Sequence, residues 1–211
     1  MTSLLEVSDL VVGFGDAFRI GPVSLAMDCG ALYMEGPNGG GKTTLMRTLA
    51  GELVPSSGTV RIRGLDIHRS AAARRSIALV PSAAELPDFL SVAEACEFSA
   101  AIRGVKRWDG RSYLDQLDLD PRLPLGSASA GQRRKAELVC GLAGDPEVLL
   151  LDETFAHLDQ HSVETLSRWV TEWSDSRLVA FAHHGRPPVT PDAVLHIAQG
   201  RVDSERPAGN A

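Results

Sequence analysis

Gly36-Pro37-Asn38-Gly39-Gly40-Gly41-Lys42-Thr43-Thr44 carries the pattern G-x-x-x-x-G-K-S/T from Gly36 to Thr43. Ala31–Glu35 before it reads as a short strand and Lys42–Leu49 after it as the start of a helix. That strand–loop–helix context is what gives the pattern its meaning. Glycines let the loop turn its backbone N–H groups inward, with no Cβ to hold phosphate oxygens away. The following helix points its partial positive end at the same place. Lys42 can reach the β- and γ-phosphates of a nucleotide, and the Thr43 hydroxyl can ligate Mg²⁺. A chance glycine-rich turn is the alternative, and the flanking strand and helix argue against it.

With 211 residues the chain can bury one sizeable core, with room for a small inserted subdomain. Hydrophobic residues make up 44%, an ordinary fraction for a globular chain. No apolar run approaches the roughly 20 residues of a membrane span. Met1-Thr2-Ser3-Leu4-Leu5-Glu6 lacks the basic-then-apolar order of a signal peptide. Cys29, Cys96 and Cys140 are odd in number and far apart, which argues against a disulfide framework or a zinc site. A cytosolic location is therefore expected. The net charge of −6 argues against a broad nucleic-acid surface.

Outward from the loop, Leu4–Phe14 and Phe18–Met27 read as paired strands, with Gly13 to Asp16 as turn chemistry. Gly51 to Gly58 reads as a loop, and Thr59–Arg63 and Ile77–Val80 as strands. Ser91-Val92-Ala93-Glu94 is a capping box that opens a helix to about Arg103, and Arg111–Leu117 predicts a second. Residues 83–128 are expected to be mostly helical, an insertion into an α/β core. Ala130–Leu142 predicts a helix, with Gly144 placed for its C-terminal cap. Val148–Leu151 is apolar throughout, as in a parallel strand buried on both faces, and ends in Asp152-Glu153. Ligands of such sheets sit beyond the strands' carboxyl ends, where both carboxylates fall. Ser162–Trp173 carries Val163, Leu166, Trp169, Val170 and Trp173 on one face. Leu178–Ala182 is a further buried strand with His183 at its end, and Ala193–Ala198 with Arg201–Asp203 suggests a closing hairpin. The tail from Glu205 is expected to fray.

At this point the chain resembles the ATP-binding subunits of ABC transporters over roughly Leu4 to Val202. Besides the phosphate loop, the resemblance rests on Ser129-Ala130-Gly131-Gln132, similar to the family's signature S-G-G-Q. It rests also on Leu149-Leu150-Leu151-Asp152-Glu153, on Leu158-Asp159 and on His183. The implied fold is α/β: a RecA-like P-loop NTPase core with an N-terminal antiparallel β portion. Residues 1–211 would form one ATP-binding domain, with an α-helical subdomain inserted at about 83–145.

The resemblance implies ATP bound by Pro37 to Thr44, that is Pro37, Asn38, Gly39, Gly40, Gly41, Lys42, Thr43 and Thr44, with adenine stacked on Phe14. Mg²⁺ would be held by Thr43 and Asp152, with Ser82 a weak further ligand. Glu153 would act as general base on the attacking water, an effect typically worth about 10²–10⁴-fold. His183 would bridge Glu153 and the γ-phosphate, with His184 the less favoured of the pair; an adventitious metal pair is the alternative use of both. Ser129, Ala130, Gly131 and Gln132 would bind the γ-phosphate held by a second subunit, and Asp159 would line the same interface. ATP would thus join a homodimer or heterodimer head to tail.

Three departures from the family pattern stand out. Ser82 occupies the usual glutamine position and is too short for that role, so a bridging water or Glu85 would have to serve. Ala130 replaces the first signature glycine, which a helix start tolerates. Thr154 follows Glu153 where proline is usual, and the residues alone offer no reason for it. Even so, the resemblance implies an ATPase powering transport through separately encoded transmembrane permease subunits, peripheral on the inner face of the cell membrane and without a nucleic-acid partner. Chain length and the S-A-G-Q signature lean toward exporters, including the haem exporter of cytochrome c maturation. The rival readings are a weakly hydrolysing, ATP-gated regulatory subunit of a heterodimer and a soluble ABC ATPase acting on ribosomes or DNA. A simple P-loop kinase would leave Ser129–Gln132 unexplained.

Overall fold

The computed structural model describes residues 3–14, 18–83 and 86–205. The Phe14 side chain and Glu85 lie outside the described residues, as does the tail beyond Glu205. In chain order the elements are β1 (Leu5–Phe14), β2 (Phe18–Met27), β3 (Gly30–Glu35), α1 (Lys42–Leu49), β4 (Ser57–Ile62), β5 (Leu65–Asp66), α2 (Ala71–Arg75) and β6 (Ile77–Val80). There follow α3 (Val92–Ile102), α4 (Arg111–Gln116), a 3-10 turn (Leu125–Ser127), α5 (Ala130–Leu142), β7 (Val148–Asp152), α6 (Gln160–Ser174), β8 (Leu178–Ala182), β9 (Ala193–Ala198) and β10 (Arg201–Glu205).

The central sheet has the order β10-β9-β3-β8-β7-β6. All its neighbours run parallel except β10, which closes the edge antiparallel to β9. Every residue of β7 and β8 is buried, as continuous apolar runs between two covered faces must be. The pleat divides them between two cores. Leu149, Leu151, Val179 and Phe181 pack with α3, α5 and α6, whereas Val148, Leu150, Leu178 and Ala180 pack toward α1, β1 and β4. Burying one such leucine contributes roughly 1.5–3 kcal/mol. The second sheet, antiparallel in the order β2-β1-β4-β5, lies over the latter core.

The expectation of mostly helix over 83–128 is too generous. Among the described residues of that stretch, helix covers only α3, α4 and one 3-10 turn. Pro121 and Pro124 break periodicity between α4 and the 3-10 turn, and the Ala93 N–H donates to the Pro121 carbonyl at 2.8 Å. The short β5 and α2 were not foreseen; Ser70 caps α2 by accepting from the Ala73 N–H at 3.3 Å. The capping box at Ser91 and Glu94 forms as read, with the Ser91 N–H donating to Glu94 Oε2 at 2.8 Å. α5 ends at Leu142, and Gly144 takes φ 87° just past it. The Arg103 guanidinium turns its donors to the carbonyls of Cys140, Gly141 and Ala143 at that helix end. α3 and α5 meet where the free thiols Cys96 and Cys140 approach to 3.6 Å.

Parallel strand order brings four carboxyl ends to one edge. β3 leads into the glycine loop, β6 into Pro81-Ser82, β7 into Asp152-Glu153 and β8 into His183-His184.

Candidate nucleotide site

The loop from Gly36 to Gly41 folds tightly because the glycines at both its ends stand where side chains have no room. Gly41 caps α1 at φ 107°, and a Cβ there would lie 2.2 Å from Ile20 Cδ1. At Gly36 a Cβ would lie 2.0 Å from the Ile197 carbonyl oxygen. Lys42 is almost wholly buried, and its Nζ donates to the carbonyls of Gly36 at 2.7 Å and Pro37 at 3.1 Å. It thus lies folded along the loop, its charge at the mouth of α1. A cavity of about 260 Å³ opens here, lined by Asn38, Lys42, Thr43 and Thr44 and, from the facing strands, by Glu153 and His184.

Thr43 and Asp152, 109 residues apart, are joined directly: the Thr43 hydroxyl donates to Asp152 Oδ2 at 2.8 Å. The other oxygen, Asp152 Oδ1, is buried and makes no hydrogen bond. An anionic oxygen beside a hydroxyl, both of them hard ligands, fits the donor set of Mg²⁺. Thr43 and Asp152 would hold the ion, as expected. Ser82 is exposed and lines no part of the cavity, so the structure does not bring it to them.

Glu153 follows β7 with a left-handed backbone, φ 51°. Its side chain is 18% exposed and Oε1 lies 3.3 Å from His184 Nε2. Oε2 is buried and unpartnered, a carboxylate oxygen free to accept a proton from water in the cavity.

The contact assigned to His183 belongs in this structure to His184. Strand alternation supplies the reason: His183 continues the face of Phe181, and its ring meets Phe155 edge-on with centroids 5.8 Å apart. His184 therefore turns toward the glycine loop, while His183 Nδ1 is buried without a partner. Burial lowers the His183 pKa, against the pull of Glu153, so its imidazole is neutral at pH 7. The Tyr33 hydroxyl lies 3.1 Å from the carbonyl oxygens of both His183 and Gly185, which ties this corner to β3.

Phe14 was expected to stack the base. Its backbone pairs with Phe18 across the β1–β2 turn and its side chain lies outside the described residues; among those described, Phe18 is the aromatic residue that lines the cavity. The four-residue spacing across a turn was the available signal for Phe18. A further cavity of about 380 Å³ adjoins the first, sharing Phe18, Asn38 and Gly39 and adding Arg19 and Gln199.

Ser129 to Gln132 lie elsewhere, at the start of α5, with Ser129 and Ala130 exposed. The sequence reading missed that this segment is itself a capping box. The Gln132 N–H donates to Ser129 Oγ at 3.2 Å, and the Ser129 N–H donates to Gln132 Oε1 at 2.9 Å. Asp159 caps α6, accepting from the Ser162 N–H at 2.8 Å, and pairs with Lys135 Nζ at 2.8 Å.

A family model described as ABC transporter matches residues 21–156. The sulfate/thiosulfate import ATP-binding protein CysA of Mycobacterium bovis is 34% identical over 183 residues, covering 83% of this chain and 52% of that protein. The spermidine/putrescine import ATP-binding protein PotA of Chromobacterium violaceum is 33% identical over 167 residues, covering 74% of this chain and 45% of that protein. The chain thus spans about half the length of these curated relatives. A solved structure described as the ATP binding subunit of an ABC transporter superposes with a TM-score of 0.85 at 24% identity, covering 97% of this chain and 90% of that one. The dimeric post-hydrolysis state of the ATP-binding cassette MJ0796, bound to ADP and Pi, superposes at 0.81 with 19% identity, covering 97% and 99%. The fold is that of these cassettes, and with the matched family model and the import relatives it places the chain among the ATP-binding subunits of the ABC transporter family.

Proposed function

We propose that the chain binds ATP with Mg²⁺, hydrolyses it, and powers transport through separate membrane-spanning subunits. One observation carries the reading: Thr43 and Asp152 meet over the glycine loop while an oxygen of Asp152 and one of Glu153 stay buried and unpartnered. The loop N–H groups, the α1 N-terminus and Lys42 hold the phosphates. Thr43 and Asp152 would hold Mg²⁺, which would supply positive charge against the phosphate oxygens. Glu153 takes a proton from water as the water oxygen bonds to the γ-phosphorus. The bond from that phosphorus to the β–γ bridging oxygen breaks, and ADP and phosphate leave. His184 orients the Glu153 carboxylate through Oε1.

Ser129 to Gln132 lie outside the chain's own cavity, which supports a site completed by a second cassette. Asp159 borders that face. No helix among the described residues is long and apolar enough to cross a membrane. The relatives are named as import ATP-binding proteins, which supports peripheral association with a membrane transporter, and the exposed Phe89, Phe98 and Ile102, at and just before α3, offer apolar surface to a membrane-spanning partner. Those names are of importers, and nothing in the site favours the export direction suggested by chain length. A second reading, weak hydrolysis beside a competent paralogue, draws on the exposure of Ser82 away from the cavity.

The test is phosphate release from Mg²⁺-ATP by the wild type beside Glu153→Gln. Turnover that falls about 10²–10⁴-fold in the variant supports the reading. Equal turnover in the two proteins would overturn the role of Glu153, and no ATP binding by the wild type in a parallel titration would overturn the whole reading.

A further inference from the structure

Thr154, the residue after Glu153, is completely buried, and its partner is Arg134 in the second turn of α5. Arg134 is itself only 4% exposed. A guanidinium has five N–H groups, and here each has an acceptor. Nε donates to the Thr154 carbonyl at 3.4 Å; Nη2 donates to the Asp152 carbonyl at 2.7 Å and to Thr154 Oγ1 at 3.2 Å. Nη1 donates to the Pro81 carbonyl and to Glu137 Oε2, the latter at 3.0 Å. Glu137 is buried as well, so the cation has a counter-charge where water cannot serve.

The acceptors straddle Glu153, one residue before it and one after. Glu153 has the left-handed backbone, φ 51°, which a residue with a side chain leaves unless its surroundings hold it. We propose that Arg134 is the positioning residue of the site. It clamps the carbonyls of the residues on both sides of Glu153, Asp152 and Thr154, and the Thr154 hydroxyl supplies the acceptor that completes the clamp.

The departure at position 154 follows from this. Proline would offer the carbonyl but no hydroxyl, and one N–H of a buried guanidinium would go unpaired. Because Arg134 sits one turn into the helix that begins at Ser129, a shift of α5 moves the clamp. The same guanidinium holds the Pro81 carbonyl, next to Ser82. Placement of the signature helix, of the loop after β6 and of the carboxylate is thereby made one variable. The proposal rests on the reading of Glu153 as general base.

Thr154→Val keeps the shape and the carbonyl and removes the acceptor. Steady-state phosphate release, with bound nucleotide counted in parallel, should show unchanged KM and ATP stoichiometry and a kcat roughly tenfold lower, the scale of a misplaced reacting group. Thr154→Ser should restore kcat to within about twofold. Arg134→Lys, which keeps the charge but offers three donors, should lower kcat at least as far with KM unchanged. In a Glu153→Gln background, Thr154→Val should lower the residual rate no further, because no base is left to aim. Wild-type kcat in Thr154→Val would overturn the proposal. So would an equal loss in the Glu153→Gln background, which marks a merely structural role, or a serine variant as slow as valine. Wild-type turnover in Glu153→Gln alone would instead overturn the general-base reading.

Discussion

Lys135 Nζ and Asp159 Oδ2 lie 2.8 Å apart and join the second turn of α5 to the cap of α6. Lys135 also donates to the Leu117 carbonyl at 2.9 Å, so one buried ammonium ties the end of α4 to both. The hydrogen bond from Lys135, with that from the Ser162 N–H, holds the Asp159 carboxyl well below the usual carboxylate range.

A folded-state pKa below the unfolded value of about 3.9 means that Asp159 stabilises the fold above that value and loses this contribution as pH falls through the depressed one. Asp159→Asn keeps a capping oxygen but loses the charge, so it should flatten the acid side of a stability-against-pH curve below about pH 4. The contribution is modest, since the Asp159 side chain is 56% exposed. Asp159→Ala also loses the cap and should cost about 1 kcal/mol at neutral pH, read from urea midpoints.

His184→Ala should lower phosphate release about tenfold or more, with a smaller loss in His183→Ala. The ordering comes from the 3.3 Å contact of His184 with Glu153 against the placement of His183 on Phe155. A reversed ordering in steady-state assays would mean that the two rings exchange places when nucleotide binds.

Tyr33→Phe removes the hydroxyl that reaches the carbonyls of His183 and Gly185 while leaving the ring stacked 5.3 Å from Phe181. Stability should fall by about 1 kcal/mol, and turnover should fall severalfold as the corner carrying His184 loosens. Thermal melts and phosphate release on the same samples would check both.

Leu150→Ala should destabilise the fold by about 2–5 kcal/mol in urea, because Leu150 is completely buried in the central sheet beneath the site. Asp152→Ala should leave the fold intact and abolish the Mg²⁺ dependence of ATP affinity, which titration with and without chelator would show.

The strands were legible where burial made them uniform: Val148–Leu151 and Leu178–Ala182 read as interior β from composition alone, and they form β7 and β8. The glycine loop was legible because its constraint is local. Position 183 against 184 was not, since both histidines follow the strand and only the phase of the pleat separates them. Phe18 was not singled out beside Phe14 for a related reason: either side of a hairpin turn can supply an aromatic to the same cavity. Arg134 was unreadable as a clamp, because its acceptors come from positions 81, 137, 152 and 154. Polar satisfaction of that kind exists only once the chain has folded.

The capping box at the start of α5 has a consequence for how two cassettes would meet. Ser129 and Gln132 each accept from the other's main-chain N–H, so the donors left to a visiting phosphate are the N–H groups of Ala130 and Gly131, which a helix start cannot pair within itself, with the Ser129 hydroxyl and the Gln132 amide beside them. Recognition there would use main-chain and side-chain donors that the capping box already holds in place. Such a surface needs no rearrangement before its ligand arrives, so the speed of docking would be governed by encounter and orientation, and a methyl in place of hydrogen at position 130 would leave it unchanged.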